Sequence, residues 1–218
     1  MRARVKICCI SSEEEAALAV SCGADAVGLV SAMPSGPGVI REDLIATIAA
    51  SVPPPVATFL LTSRQDAEGI VQQQRRTGVN TIQLCDHVSV DCLRDLRAAL
   101  PGVRLVQVVH VTGNESIAEA RAVAAHVDAL LLDSGNQKLR IKELGGTGRT
   151  HDWAISREIV QTVQRPVFLA GGLTPLNVAP AVAQVGPFGV DVCSGVRREG
   201  RLDETLLPQF LAALVGTS

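Results

Sequence analysis

Short runs of aliphatic and β-branched residues alternate along this chain with longer stretches in which apolar positions return every three or four residues. The runs predict strands at 5–10, 26–30, 56–61, 81–84, 104–110, 129–133, 166–170 and 189–193. The longer stretches predict helices at 13–21, 42–50, 64–77, 89–100, 115–126, 155–163, 177–185 and 204–215. Leu93, Leu96, Arg97 and Leu100 show the helical spacing, broken only by the arginine. Ser12, Ser63 and Asn114 stand where a side-chain oxygen caps free amides at a helix start. Glu13, Glu14 and Glu15 complement the positive end of the first helix, a role that needs no partner.

Strict alternation of eight strands with eight helices implies a parallel sheet with helices packed on it. An open doubly wound sheet would carry a glycine-rich turn after its first strand, whereas this turn is Cys9-Ile10-Ser11-Ser12. The expected fold is therefore α/β, a (β/α)8 TIM barrel, with residues 1–218 as one domain and no linker or low-complexity tract.

Composition narrows the function. The apolar residues are mostly Ala, Val and Leu; Trp153 is the single tryptophan and tyrosine is absent. That leaves no stacking platform for bases, and a net charge of -2 gives no basic stripe for nucleic acid or an anionic lipid surface. No apolar run reaches the roughly 20 residues that span a bilayer, and the N-terminal apolar stretch is too short for a signal peptide. The expectation is a cytoplasmic protein with six free thiols, binding neither nucleic acid nor membrane.

Barrels of this kind gather their chemistry at the C-terminal ends of the strands. Three glycine-containing turns fall there in succession: Gly145-Gly146-Thr147-Gly148, Gly171-Gly172-Leu173 and Ser194-Gly195-Val196. Glycine lets backbone amides approach an anion with no side chain in the way. Gly146, Gly148, Gly171, Gly172, Ser194 and Gly195 are the candidate phosphate grip. Asp133, directly after three leucines at a strand end, is a carboxylate whose burial demands a purpose. His110 and His126 read as strand-end and helix-end residues, and Arg197, Arg198 and Arg201 as a solvated loop.

These motifs together resemble the phosphoribosylanthranilate isomerase family. Val5-Lys6-Ile7-Cys8 is similar to the family's first strand and Gly23–Gly28 to its second. Leu130-Leu131-Leu132-Asp133, Leu169–Val178, Asp191–Val196 and the turn from Gly200 to Asp203 resemble strands six to eight with their loops. The resemblance implies an Amadori rearrangement of an N-(5-phosphoribosyl) substrate, aminoaldose to aminoketose, in tryptophan biosynthesis. It implies Cys8 as the base at C2, Asp133 as the acid at the ring oxygen, and no metal or organic cofactor. Lys6, Gln83, Cys85 and Arg41 are the expected substrate-binding side chains, and the assembly is a monomer or homodimer. Chemistry agrees for the pair: a thiolate is stabilised by nearby positive charge, and burial keeps an aspartate protonated.

Three positions depart from the family pattern. Cys9 replaces its glycine, Pro37 an arginine beside the substrate's aromatic acid, and Cys85-Asp86 a His-Gly pair. Two readings stand beside the isomerase of anthranilate: a divergent enzyme for another N-ribosyl 5-phosphate, and a non-catalytic phosphate-ligand sensor. A third, from a different class, is zinc bound by Cys8, Cys9, Cys85 and His87, whose spacing fits no compact zinc motif.

Overall fold

Every strand expected from the apolar runs is present, and the first pairs with the last. The computed structural model describes residues 2–135, 141–145 and 148–215. Its strands β1 (Arg4–Ile7), β2 (Ala26–Val30), β3 (Ala57–Thr62), β4 (Thr81–Leu84), β5 (Arg104–His110), β6 (Ala129–Asp133), β7 (Val167–Leu169) and β8 (Gly189–Val192) close into one parallel barrel in sequence order. Between and after them run α1 (Glu13–Ser21), α2 (Glu42–Ser51), α3 (Ala67–Thr77), α4 (Val90–Ala99), α5 (Glu115–Ala124), α6 (Trp153–Thr162), α7 (Val178–Val185) and α8 (Leu206–Ala213). The closing seam sets Lys6 opposite Asp191 and Ile7 opposite Val192.

Side chains of a strand point alternately into the barrel and out toward the helices. Outward residues such as Val5, Ile7, Val27, Leu29 and Leu60 pack against the helix stripes. Inward residues fill the interior: Phe59 and Phe168 meet edge to face at 6.1 Å, with Val106, Ala129 and Leu131 around them. This plug closes the N-terminal half and leaves the open mouth at the strands' C-terminal ends.

Element boundaries shift where side chains take other work. Residues 8–10 leave β1 before the expected end, and Cys9 has a left-handed φ of 61°. Ser12 caps α1 as expected, accepting from the Glu15 amide. Ser63 does not cap: Asp66 starts α3 by accepting from the Gly69 amide at 2.6 Å, while Ser63 donates to the Ala32 carbonyl at 3.0 Å. Asn114 already has helical φ and ψ and forms no side-chain cap. Asp152, not the residue before Ile155, opens α6 by accepting from the Ala154 amide. After β8 a 3-10 turn (Ser194–Val196) leads into a two-stranded hairpin, Arg197–Arg198 with Arg201–Leu202.

Candidate active site

One cavity opens at the mouth, and it is lined by Cys8, Cys9, Ser35, Pro37, Gln83, Cys85, Asp133, Gly145, Gly148, Gly171, Gly172, Asp191, Cys193 and Ser194 among others. The expected residues converge there with four exceptions. Gly195 is not on the wall but packs against the Leu173 carbonyl behind it. Gly146 lies outside the described residues. Lys6 sits beneath the cavity rather than on its wall. Arg41 does not line it: from the N-cap of α2 its exposed guanidinium forks onto Asp43, at 2.8 and 3.1 Å.

Lys6 is fully buried, and its Nζ lies 2.8 Å from Asp191 Oδ1 and 5.3 Å from the centre of the Phe59 ring. Gly28 on β2 makes the room, because a Cβ there would come within 3.0 Å of Nζ. Burial presses the ammonium toward neutrality, but Asp191 outweighs it and holds the group above its ordinary pKa. The charge also acts on Cys8, two residues on. Asp191 shares that charge, so Cys8 meets a paired cation.

Asp133 ends β6 with almost all of its surface covered. Burial raises its carboxyl above the ordinary value, against the Ser134 amide at 2.7 Å and the charges of His110 and Lys6. Gly145 presses on the same carboxylate: with φ of 135°, a Cβ would fall 2.7 Å from Oδ2. The described stretch 141–145 thus ends against the acid. It is held over the mouth by two tethers, the Ser35 hydroxyl donating to the Lys142 carbonyl at 2.6 Å and Lys142 Nζ on buried Asp86 at 2.5 Å. Asp86, one of the departures from the family pattern, is therefore an anchor for this loop. Its neighbour Cys85 is fully buried against Gln83, and burial first of all pushes its thiol up, leaving it neutral.

The glycine turns face the cavity from the opposite side. Gly171 and Gly172 have φ of 84° and 62°, and a side chain on Gly172 would strike the Arg149–Thr150 backbone at 2.8 to 3.0 Å. A Cβ on Gly195 would overlap the Leu173 carbonyl. Three successive loops therefore lie in direct backbone contact because both positions are glycine. Among the described residues the amides of Gly171, Gly172 and Leu173 have no hydrogen-bond acceptor, which leaves three donors grouped by the cavity. Behind this turn His151 accepts or donates at 2.7 Å to Ser156, and burial drops its pKa to about 4.

Arg197 corrects the reading of a solvated loop. Its side chain is buried beside Glu15 at 2.9 Å, and it donates to the carbonyls of Cys8, at 3.2 Å, and Cys9. Glu15 also accepts from the Leu202 and Ser11 amides, so it is a buried partner and not merely a dipole complement. Arg197 escaped the sequence reading because a loop arginine is ordinarily exposed. Among the described residues no group of three His, Cys, Asp or Glu is placed to share a metal ion, and His87 points to solvent.

A parallel eight-stranded barrel with a buried carboxyl, a thiol and glycine turns at one mouth has the architecture of a barrel enzyme. The comparisons sharpen that class. The profile of the family described as PRAI, N-(5'phosphoribosyl)anthranilate (PRA) isomerase, matches residues 5–213, and the chain belongs to this family of aldose–ketose isomerases of tryptophan biosynthesis. N-(5'-phosphoribosyl)anthranilate isomerase 2 of Methanosarcina mazei is 39% identical over 210 residues, covering 95% of this chain and 92% of the relative. The Haloferax volcanii N-(5'-phosphoribosyl)anthranilate isomerase is 40% identical over 212 residues, covering 96% and 92%. The crystal structure of phosphoribosyl anthranilate isomerase from Thermotoga maritima is similar with a TM-score of 0.84 and 29% identity, covering 98% of this chain and 99% of that one. Another, in complex with reduced 1-(o-carboxyphenylamino)-1-deoxyribulose 5-phosphate, has a TM-score of 0.82 and 27% identity, with 98% and 99% covered. These findings lend no support to the sensor or to a divergent substrate.

Proposed function

We propose that this protein converts N-(5'-phosphoribosyl)anthranilate to its aminoketose with Asp133 as acid and Cys8 as base. The observation that carries the reading is one cavity joining a buried, proton-holding carboxyl, a thiol near a paired cation, and a cradle of three free amides. The phosphate sits against Gly148, Gly171, Gly172, Ser194 and Gly195. Asp133 gives its proton to the ribose ring oxygen as the C1–oxygen bond breaks and the nitrogen lone pair forms C1=N. Cys8 then takes the proton from C2, and the resulting enolamine tautomerises to the ketone, with no net oxidation. The aglycone lies toward Pro37, Gln83 and Cys85, where among the described residues no arginine lines the cavity and the wall is apolar or neutral.

Turnover of N-(5'-phosphoribosyl)anthranilate by the purified protein tests this directly. Cys8→Ser and Asp133→Asn should each lower kcat by roughly 100- to 10,000-fold, the usual worth of an acid or base, while inorganic phosphate still competes at the unchanged cradle. Full activity in either variant would remove that residue from its role. The soluble location proposed is the cytoplasm, consistent with no helix among the described residues long and apolar enough to cross a membrane. Assembly is a monomer or homodimer; a related structure shows monomers generated from dimeric phosphoribosylanthranilate isomerase of Thermotoga maritima.

A further inference from the structure

Two cysteines outside the acid–base pair stand closer than packing requires. Cys9 follows β1 and Cys193 follows β8, 184 residues apart in sequence, and their sulfurs are 2.8 Å apart. A disulfide bond is about 2.05 Å long, so less than an ångström separates this contact from a covalent link. Three features hold the contact. Cys9 has a left-handed φ of 61° that aims its side chain across the seam. Gly38 leaves the space it fills, since a Cβ at 38 would come within 2.5 Å of Cys9 Cβ. Arg197 fastens the Cys9 carbonyl from below.

We propose that Cys9 and Cys193 form a reversible oxidation site in which a hydroperoxide drives a disulfide across the β1–β8 seam. Cys193 is the attacking sulfur. It is only partly covered and lines the open cavity, and its thiol is lowered first by the contact with Cys9 and further by the Arg197 charge. The same shared proton, with burial, holds Cys9 well up, so Cys9 stays the protonated partner. The Cys193 thiolate attacks the terminal peroxide oxygen; the O–O bond breaks, hydroxide leaves from hydrogen peroxide or an alkoxide from an organic hydroperoxide, and a sulfenic acid forms. The Cys9 sulfur then attacks that sulfenic sulfur, its proton joins the departing hydroxide as water, and the S–S bond closes. A dithiol reverses the link by exchange. Cys8 is the competing neighbour at 3.8 Å, but a bridge between adjacent residues is strained. Because Ser194 and Gly195 follow Cys193, the link fixes one phosphate turn to the segment bearing Cys8.

The site holds whichever ligand the mouth takes, so its test is separate from the isomerase assay. The full chain is treated with hydrogen peroxide, free thiols are alkylated in denaturant, and peptides are mapped by mass. The expected result is a Cys9–Cys193 linked peptide that disappears with dithiothreitol. In Cys9→Gly, which suits the positive φ, Cys193 should instead be trapped as sulfenic acid by dimedone; in Cys193→Ser, neither link nor trapped Cys9 should form. Recovery of both cysteines as alkylated thiols, or a link of either to another cysteine, would overturn the proposal.

Discussion

Removing one charge from the pair beneath the cavity should cost this barrel a large part of its stability. Asp191→Asn keeps the shape and an acceptor oxygen, so it opens no cavity; it leaves Lys6, with no exposed surface, without a counter-charge. Breaking a buried ion pair on one side costs about 3–5 kcal/mol. The Phe59 face, 5.3 Å from Nζ, is already engaged and supplies no replacement. At about 1–3 kcal/mol per molar of urea, a loss of about 3 kcal/mol moves the midpoint of equilibrium unfolding down by roughly 1–3 M. A double variant, Lys6→Met with Asp191→Asn, removes both charges and should recover most of the loss. The effect should not vary through neutral pH. The folded pKa of Lys6 lies above its ordinary 10.5, so its contribution is complete below 10.5 and fades only as pH rises through the folded value. A midpoint unchanged in Asp191→Asn, or a double variant as weak as the single, would refute a pair whose halves depend on each other.

Four further outcomes follow from the same geometry. Glu15 is pressed upward by burial, yet Arg197 and the Leu202 and Ser11 amides bring its pKa below the ordinary 4.5; its stabilisation is present above that value and lost as pH falls, so thermal melts of Glu15→Gln should show a flatter acid decline. The proton on Asp133 is needed, and its pKa is raised, so kcat/KM should fall as pH rises through that group, and a profile without this limb would remove Asp133 as the acid. Gly195→Ala must displace the Leu173 carbonyl; KM for the phosphorylated substrate should rise at least about tenfold, on the scale of losing one or two hydrogen bonds to a charged group. Arg41→Ala should leave KM within about twofold, because an exposed pair with Asp43 contributes little; a larger rise would bring Arg41 back to the site.

The barrel was legible because alternation of two periods is a local property. Strands such as Ala26–Val30 and Ala129–Asp133 match their apolar runs to the residue, since burial on both sides demands an unbroken run. The glycine turns and Asp133 were legible for a similar reason: each is an unusual residue at a known height in the fold. Boundaries failed where a capping side chain had equal rivals nearby, as with Ser63 and Asp66. Partners were harder. Arg197 with Glu15, Lys142 with Asp86 and Cys9 with Cys193 are 182, 56 and 184 residues apart, and periodicity carries no record of who faces whom across a barrel mouth. The departures from the family pattern were visible singly; that Gly38 vacates the volume Cys9 occupies appears only when the two loops meet.

The seam between β1 and β8 also has a bearing on how the chain is born. Lys6 leaves the ribosome 185 residues before its counter-ion. At about 5–20 residues per second, that lysine waits roughly 10–40 s with no acid to neutralise it, and the edge of β1 waits with it. During synthesis the nascent sheet has an open margin that only the last strand can cover, so the half-made barrel is the state in which a holding chaperone has most to protect.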